Sequence, residues 1–361
     1  MSAHPVPRSS WMFPASAVAF VAVTAGMGIG FTPSAAGLVF SVVLLAILFG
    51  TVFAAVHHAE VIAHKIGEPY GTLLLTLSVI IIEVAVIATI MIGDKSAPTL
   101  ARDTVFAVVM IVCNGMVGLC ILAGGLRYSE QEFQVSGAKI YLSVLIVLST
   151  ITLILPNYTL TTPGPLFSAL QLAFVSVVTM ILYGLFLYTQ TVLHRDYFIS
   201  DDEDDDGAPP TYPITMNAIL LVVSLVTVVL LAKSFSVVVD AGGAAIGAPP
   251  AFTGIVVALL VLMPEGLAAF SAARHNKLQK SINLSLGSAL ATISLTIPAV
   301  ALVATLLGQP LLLGLQPSET TLLIMTFAIS MLTFATGVTN ILFGMVHMLV
   351  FAVFLLTVFA P

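Results

Sequence analysis

Between residues 13 and 360 long apolar runs alternate with short polar connectors, and that alternation predicts the elements of the chain. A helix needs about 20 consecutive apolar residues to cross a bilayer core. This ruler predicts eleven spanning helices, over residues 13–31, 35–57, 70–92, 104–124, 139–156, 165–193, 214–232, 248–272, 282–308, 318–336 and 339–360. The last two are separated only by Thr336-Gly337-Val338-Thr339. One long polar segment, HRDYFISDDEDDDGAPPTYP at 194–213, divides the pattern into an extra first helix plus five, then five more. Five is odd, so two tandem five-helix units enter the membrane from opposite sides, the arrangement in which inverted repeats build a midplane site. The expected fold is an all-α polytopic membrane protein. Residues 1–31 form the extra helix, 32–193 a first repeat, 194–213 an acidic cytoplasmic linker and 214–361 a second repeat.

Composition agrees. Of 361 residues, 59% are apolar and 8% charged, against about 25% charged in a soluble domain. The net charge of −6 is local: Asp196, Asp201, Asp202, Glu203, Asp204, Asp205 and Asp206 supply −7, which leaves +1 elsewhere. No basic surface suited to nucleic acid exists. With a cytoplasmic N-terminus, that side carries Arg8, Lys65, Arg127, Lys139, Arg195, Arg274, Lys277 and Lys280, and the other side only Lys95, Arg102 and Lys233. The excess places the N-terminus inside, and the odd helix count puts the C-terminus outside. Residues 1–20 could pass for a signal peptide, but the apolar run continues to Phe31, so an uncleaved first helix is expected. Cys113 and Cys120 lie too far apart on one helix to be bridged, at about 10 Å of rise, and read as small packing residues.

The candidate chemistry sits at two acids inside apolar runs, Glu83 in TLLLTLSVIIIEVAVIATIMI and Glu265 in TGIVVALLVLMPEGLAAFSAA. A mid-membrane carboxylate is costly unless it faces a cavity, an ion or a partner. Each repeat offers one, followed on the next helix by a polar residue at similar depth: Asn114 is 31 residues beyond Glu83, and Thr292 is 27 beyond Glu265. Calcium takes six to eight oxygens from carboxylates, amides, hydroxyls and carbonyls. Pro264 should free the Leu260 carbonyl beside Glu265, Gly266 adds slack, and Ser288, Thr292, Asn114, Thr76 and Ser78 could add side-chain oxygens. The bland readings are a structural hydrogen-bonding role for each acid and close helix packing for the Ser, Thr and Gly residues. One carboxylate pair contested by a cation and protons gives exchange by mutual exclusion. No nucleotide-binding motif appears, so an ion gradient is the expected energy source.

Two further groups stand at the rim. VHHAEVIAHKIGEPYG holds His57, His58, Glu60, His64 and Glu68 and reads as an ion entrance or solvated helix cap rather than a zinc site. The run Asp201, Asp202, Glu203, Asp204, Asp205 and Asp206 is either a cation-concentrating or regulatory element or a solvated linker. His347, within an apolar stretch, reads as a packing histidine rather than a proton relay.

Over HHAEVIAHKIGEPYGTLLLTLSVIIIEV (57–84) and MPEGLAAFSAARHNKLQKSINLSLGSALATISLTIPAV (263–300) the chain resembles the calcium/cation antiporter superfamily, specifically its bacterial calcium/proton antiporters of the ChaA type. The resemblance implies a cation/proton exchanger with pseudo-symmetric repeats, each giving one essential glutamate. Glu83 and Glu265 fall at those positions, Asn114 matches the asparagine of the first repeat, and Gly287-Ser288 the Gly-Ser pair of the second. The family's glutamates usually follow a Gly-Asn pair, whereas the flanks here are Val79-Ile80-Ile81-Ile82 and Val261-Leu262-Met263-Pro264. Fewer polar ligands surround each acid, which leaves sodium or potassium exchange open beside calcium.

The expected function is secondary active exchange of cytoplasmic calcium, with sodium and potassium open, for external protons, in a bacterial inner membrane. The partners are those cations, protons and the bilayer, with homo-oligomerisation open and no cofactor. A monovalent sodium or potassium/proton antiporter with little calcium activity is the nearest alternative. A cation channel would need repeated filter residues, and an intramembrane enzyme a nucleophile–base pair or metal motif within the spans. A membrane scaffold would be indifferent to loss of both glutamates.

Overall fold

A computed structural model of the chain describes residues 7–67, 69–93, 98–198 and 212–360. It contains eleven long helices: α1 Ser9–Met27, α2 Ala35–Ile66, α3 Tyr70–Ile92, α4 Leu100–Tyr128, α5 Val135–Tyr158, α6 Ala169–Leu193, α7 Ile214–Ala245, α8 Ala251–Arg274, α9 Leu278–Leu307, α10 Pro317–Thr333 and α11 Ile341–Phe359. Ten are long and apolar enough to cross a membrane; α10, at 17 residues, is the shortest. This is the all-helical polytopic fold read from the apolar runs. One addition is a pair of three-residue strands, β1 Glu130–Glu132 and β2 Val338–Asn340, paired antiparallel in two connectors.

Two helices outrun their hydropathy. α2 and α7 each reach 32 residues, past the expected ends at 57 and 232. Beyond those points the helical period continues with polar residues on its outer face: Glu60 and His64 are exposed while His58, Val61 and Ile62 are buried, and Lys233 and Asp240 are exposed while Phe235, Val238 and Val239 are buried. Lys233 is thus a helix residue rather than a loop charge. Side chains sort as a bilayer requires, with Leu170, Phe174, Ile181 and Leu185 of α6 exposed while Glu83, Asn114 and His347 are fully buried. Apolar groups cost nothing facing lipid, whereas polar ones need internal partners.

Helix lengths run in parallel in the two halves of the chain. α2, α3 and α4 have 32, 23 and 29 residues, and α7, α8 and α9 have 32, 24 and 30. Compactness divides the chain differently, into Met1–Ala97 with Asp204–Ala248, and Pro98–Glu203 with Pro249–Pro361. Each unit therefore draws helices from both halves of the chain.

In the first unit α2 packs against α1, α3 and α7. Its polar tie is His58, fully buried, with Nδ1 2.8 Å from Asn217 Oδ1 and Nε2 2.9 Å from the Ser10 carbonyl. Asn217 Nδ2 in turn donates to the Tyr212 carbonyl at 2.9 Å, so one ring fastens the starts of α1 and α7 to α2. Removing a partner from buried polar groups costs about 1–3 kcal/mol. His58→Ala should lower the thermal stability of the purified protein while leaving the half-saturating cation concentration unchanged, as paired melting and flux titrations would show.

In the second unit α4 packs against α8 and α11, α8 against α9, and α9 against α5. Two crossings are backbone-tight. A Cβ at Gly254 of α8 would meet Thr104 N of α4 at 2.9 Å, and one at Gly344 of α11 would meet Leu122 N of α4 at 2.7 Å. Near the start of α4, buried Arg102 forks onto Asp103, with Nε at 2.8 Å and Nη2 at 2.7 Å from Oδ1, and Nη1 donates to the Gly314 carbonyl at 3.3 Å. Breaking a buried pair from one side costs about 3–5 kcal/mol. Arg102→Ala should therefore destabilise the protein strongly, read by thermal unfolding, with a smaller loss for Arg102→Ala/Asp103→Asn.

Candidate cation site

Glu83 is the fourteenth residue of the 23-residue α3 and is fully buried. Nearby Ser78 donates its hydroxyl to the Leu74 carbonyl at 2.9 Å, a bond within its own helix, and Thr76 is half-buried. Glu265 is the fifteenth residue of the 24-residue α8 and is half-buried. The two acids thus stand at nearly the same position along helices of similar length. α8 runs as one α-helix through Pro264, so the expected interruption beside Glu265 is not where the helical geometry changes.

It changes one helix later in each half of the chain. Residues Ile111–Met116 of α4 and Thr292–Thr296 of α9 are π-helical, as are Thr150–Ile154 of α5 and Thr189–Leu193 of α6. Asn114 and Thr292 lie in these segments, each the fifteenth residue of its helix. A π turn carries one extra residue, leaves part of the α ladder unmade and occurs most often at functional sites. In α9 the cause is legible: Pro298 has no N–H to offer the Ser294 carbonyl. In α4 no proline is present.

Gly266 brings the acid-bearing helix onto the first π segment. A Cβ at Gly266 would lie 3.6 Å from Met116 Cε, so the turn after Glu265 rests on the segment holding Asn114. Asn114 is fully buried. Its Nδ2 donates to Thr326 Oγ1 of α10 at 2.9 Å, and its Oδ1 is 3.2 Å from His347 Nδ1 of α11. His347 Nε2 is 2.9 Å from Thr333 Oγ1. Thr326, Ser330 and Thr333 make a buried hydroxyl stripe on α10, at the i, i+4, i+7 spacing of one helix face. Sequence reading singled out Asn114 but not this network, because His347 and the threonines of α10 each read alone as packing.

On α9 Ser288 is half-buried and Thr292 buried, one turn apart on the same face. At the rim His57 is half-buried and Glu60 exposed, while His58 is spent on the helix tie already described. Among the described residues no group of three or more His, Cys, Asp or Glu side chains could hold a metal ion. The residues Asp201, Asp202, Glu203, Asp204, Asp205 and Asp206 lie outside the described residues. Cys113 and Cys120 are buried free thiols. A cavity of about 310 Å³, with Arg102, Asp103 and Glu319 in its wall, opens at the first turns of α4, α8 and α10. It lies about 21 Å of helix rise from Glu265 and is separate from the mid-helix acid.

Known proteins place this arrangement. The chain is 45% identical to the y4hA protein of Sinorhizobium fredii over 360 residues, covering 98% of this chain and 96% of that one. It is 39% identical over 331 residues to the sodium-potassium/proton antiporter ChaA of Escherichia coli, covering 89% and 90% of the two chains. Its fold is similar to the crystal structure of the H+/Ca2+ exchanger CAX, with a TM-score of 0.70 at 14% identity over 97% of this chain and 88% of that one. Residues 36–192 and 216–360 match the sodium/calcium exchanger protein family. The chain therefore belongs to the sodium/calcium exchanger protein family, a family of antiporters and not of enzymes.

Proposed function

We propose that this multi-pass membrane protein exports cytoplasmic cations in exchange for external protons, with Glu83 and Glu265 binding the cation and the proton alternately. The supporting observation is the matched position of the two acids along α3 and α8, each followed one helix on by a π segment at Asn114 or Thr292. A charged carboxylate attracts a cation, and a protonated one releases it, so the two cargoes exclude one another. In this reading Asn114, Ser288 and Thr292 supply neutral oxygens to the same cation. External protons drive the cycle and set its direction in a bacterial inner membrane, with the N-terminus cytoplasmic and the C-terminus outside. Alternating access then follows from rocking of helices that carry the acids.

Calcium is the cation that two carboxylates and several neutral oxygens suit best. Monovalent exchange is the second reading, favoured by the apolar residues before each glutamate and by the name of the 39% identical relative. Purified protein in liposomes bearing an imposed pH gradient tests both. Calcium, sodium and potassium are added in turn, and gradient collapse names the ion; collapse with none of them removes the antiporter reading.

Competition also fixes a pH dependence. As pH falls on both sides, more sites carry protons, so the half-saturating cation concentration should rise, by up to about tenfold per pH unit for each competing proton. A pH-independent value would separate proton binding from cation binding.

A further inference from the structure

We propose that His347 is a positioning residue that fixes which end of the Asn114 amide faces the transported cation; the inference rests on the exchange reading above. Only the amide oxygen can ligand a cation, because the NH2 end offers donors alone. An asparagine free to flip would present the wrong end part of the time.

Both ends of this amide are held. One Nδ2 hydrogen goes to Thr326 Oγ1 at 2.9 Å, and Thr326 donates onward to Met110 Sδ at 3.5 Å. A thioether accepts but never donates, so Met110 sets the direction of the chain. Followed backward, Asn114 Oδ1 accepts from His347 Nδ1–H at 3.2 Å, and His347 Nε2 accepts from the Thr333 hydroxyl at 2.9 Å. A flipped amide would set its NH2 against the ring N–H. One lone pair of Oδ1 remains for a cation.

The backbone explains why a histidine of α11 reaches this spot. A Cβ at Gly118 of α4 would lie 2.9 Å from His347 Cβ and 3.1 Å from Met348 N. With no side chain there, the imidazole is delivered one turn along α4, beside Asn114. Thr326, Thr333, His347 and Asn114 are all fully buried, and a buried network satisfied at every link holds a unique geometry.

The test titrates calcium, sodium and potassium chloride against wild type, His347→Ala, His347→Gln, Asn114→Ala and the double alanine variant in liposomes with a pH gradient. His347→Ala should raise the half-saturating cation concentration about tenfold, with the maximal rate within about twofold of wild type. Asn114→Ala should do the same, and the double variant should be no worse than either alone, because the two act through one group. His347→Gln, whose amide N–H can donate to Oδ1, should recover most of the affinity. Should His347→Ala not assemble, Thr333→Val carries the test, with an expected rise of about threefold.

Multiplying effects in the double variant, a fall in maximal rate at unchanged half-saturation, or unchanged titrations overturn the positioning role. The premise fails separately. If wild type exchanges none of the three cations, or Glu265→Gln exchanges normally, the exchange reading is lost. Wild-type exchange abolished by Glu265→Gln, together with a silent His347→Ala, overturns the role of His347 alone.

Discussion

Glu265→Gln and Glu83→Gln are each expected to reduce cation-triggered proton flux by about 100-fold or more, equivalent to about 2.7 kcal/mol of lost cation binding. Glutamine preserves the side-chain length and one acceptor oxygen. It removes the negative charge, on which cation affinity depends, and it cannot take up a proton. Both half-reactions therefore fail together, whereas loss of a neutral ligand such as Asn114 weakens only the cation step. Glu265→Asp should retain partial activity, because the charge survives on a shorter stem. The two glutamine variants should also resemble each other, since the acids occupy matching positions along α3 and α8. Flux measurements on liposomes with equal amounts of each variant check this; a single dispensable acid would break the symmetry on which the reading depends.

The second large effect is structural. Gly118→Val is expected to separate α4 from α11 and cost most of the exchange activity together with several degrees of thermal stability. At Gly118 the added Cβ alone falls 2.9 Å from His347 Cβ and 3.1 Å from Met348 N. The second contact is backbone, which no rotamer change relieves. Overpacking a tight core costs about 1–3 kcal/mol or more, and here the displaced helix also carries the imidazole that meets Asn114. Gly184→Val on α6 is the control, since nothing lies within 4 Å of a Cβ there. Thermal unfolding and flux for the pair should diverge; equal behaviour would mean that the α4–α11 crossing is looser than its backbone distances imply.

Much of the fold could be read before the structure, because a bilayer imposes a simple length rule. The eleven helices follow the eleven apolar runs, and where they outrun them the cause is local: polar residues on one face of α2 and α7 lowered the mean hydropathy without ending the helical period. Glu83 and Glu265 were legible because carboxylates are conspicuous among Leu, Ile and Val. The π segments were half legible. Pro298 announces a break in the α ladder near Thr292, but IVCNGM at 111–116 carries no comparable signal. His347, read as a packing histidine, is buried and hydrogen-bonded, and a histidine among apolar residues reads the same whether it packs or holds another side chain. Only the close approach at Gly118 and Gly344 brings it to Asn114. The division into compact units was invisible to a reading by repeats, because each unit combines helices from both halves of the chain.

The most direct measurement follows internal pH and internal cation content in the same liposomes, after a pH gradient is imposed and calcium, sodium or potassium is supplied. Exchange through the two glutamates predicts that protons and the cation move in opposite directions with a fixed ratio, and that Glu83→Gln or Glu265→Gln stops both movements together. Cation movement that continues without proton movement, or that survives either substitution, would contradict it.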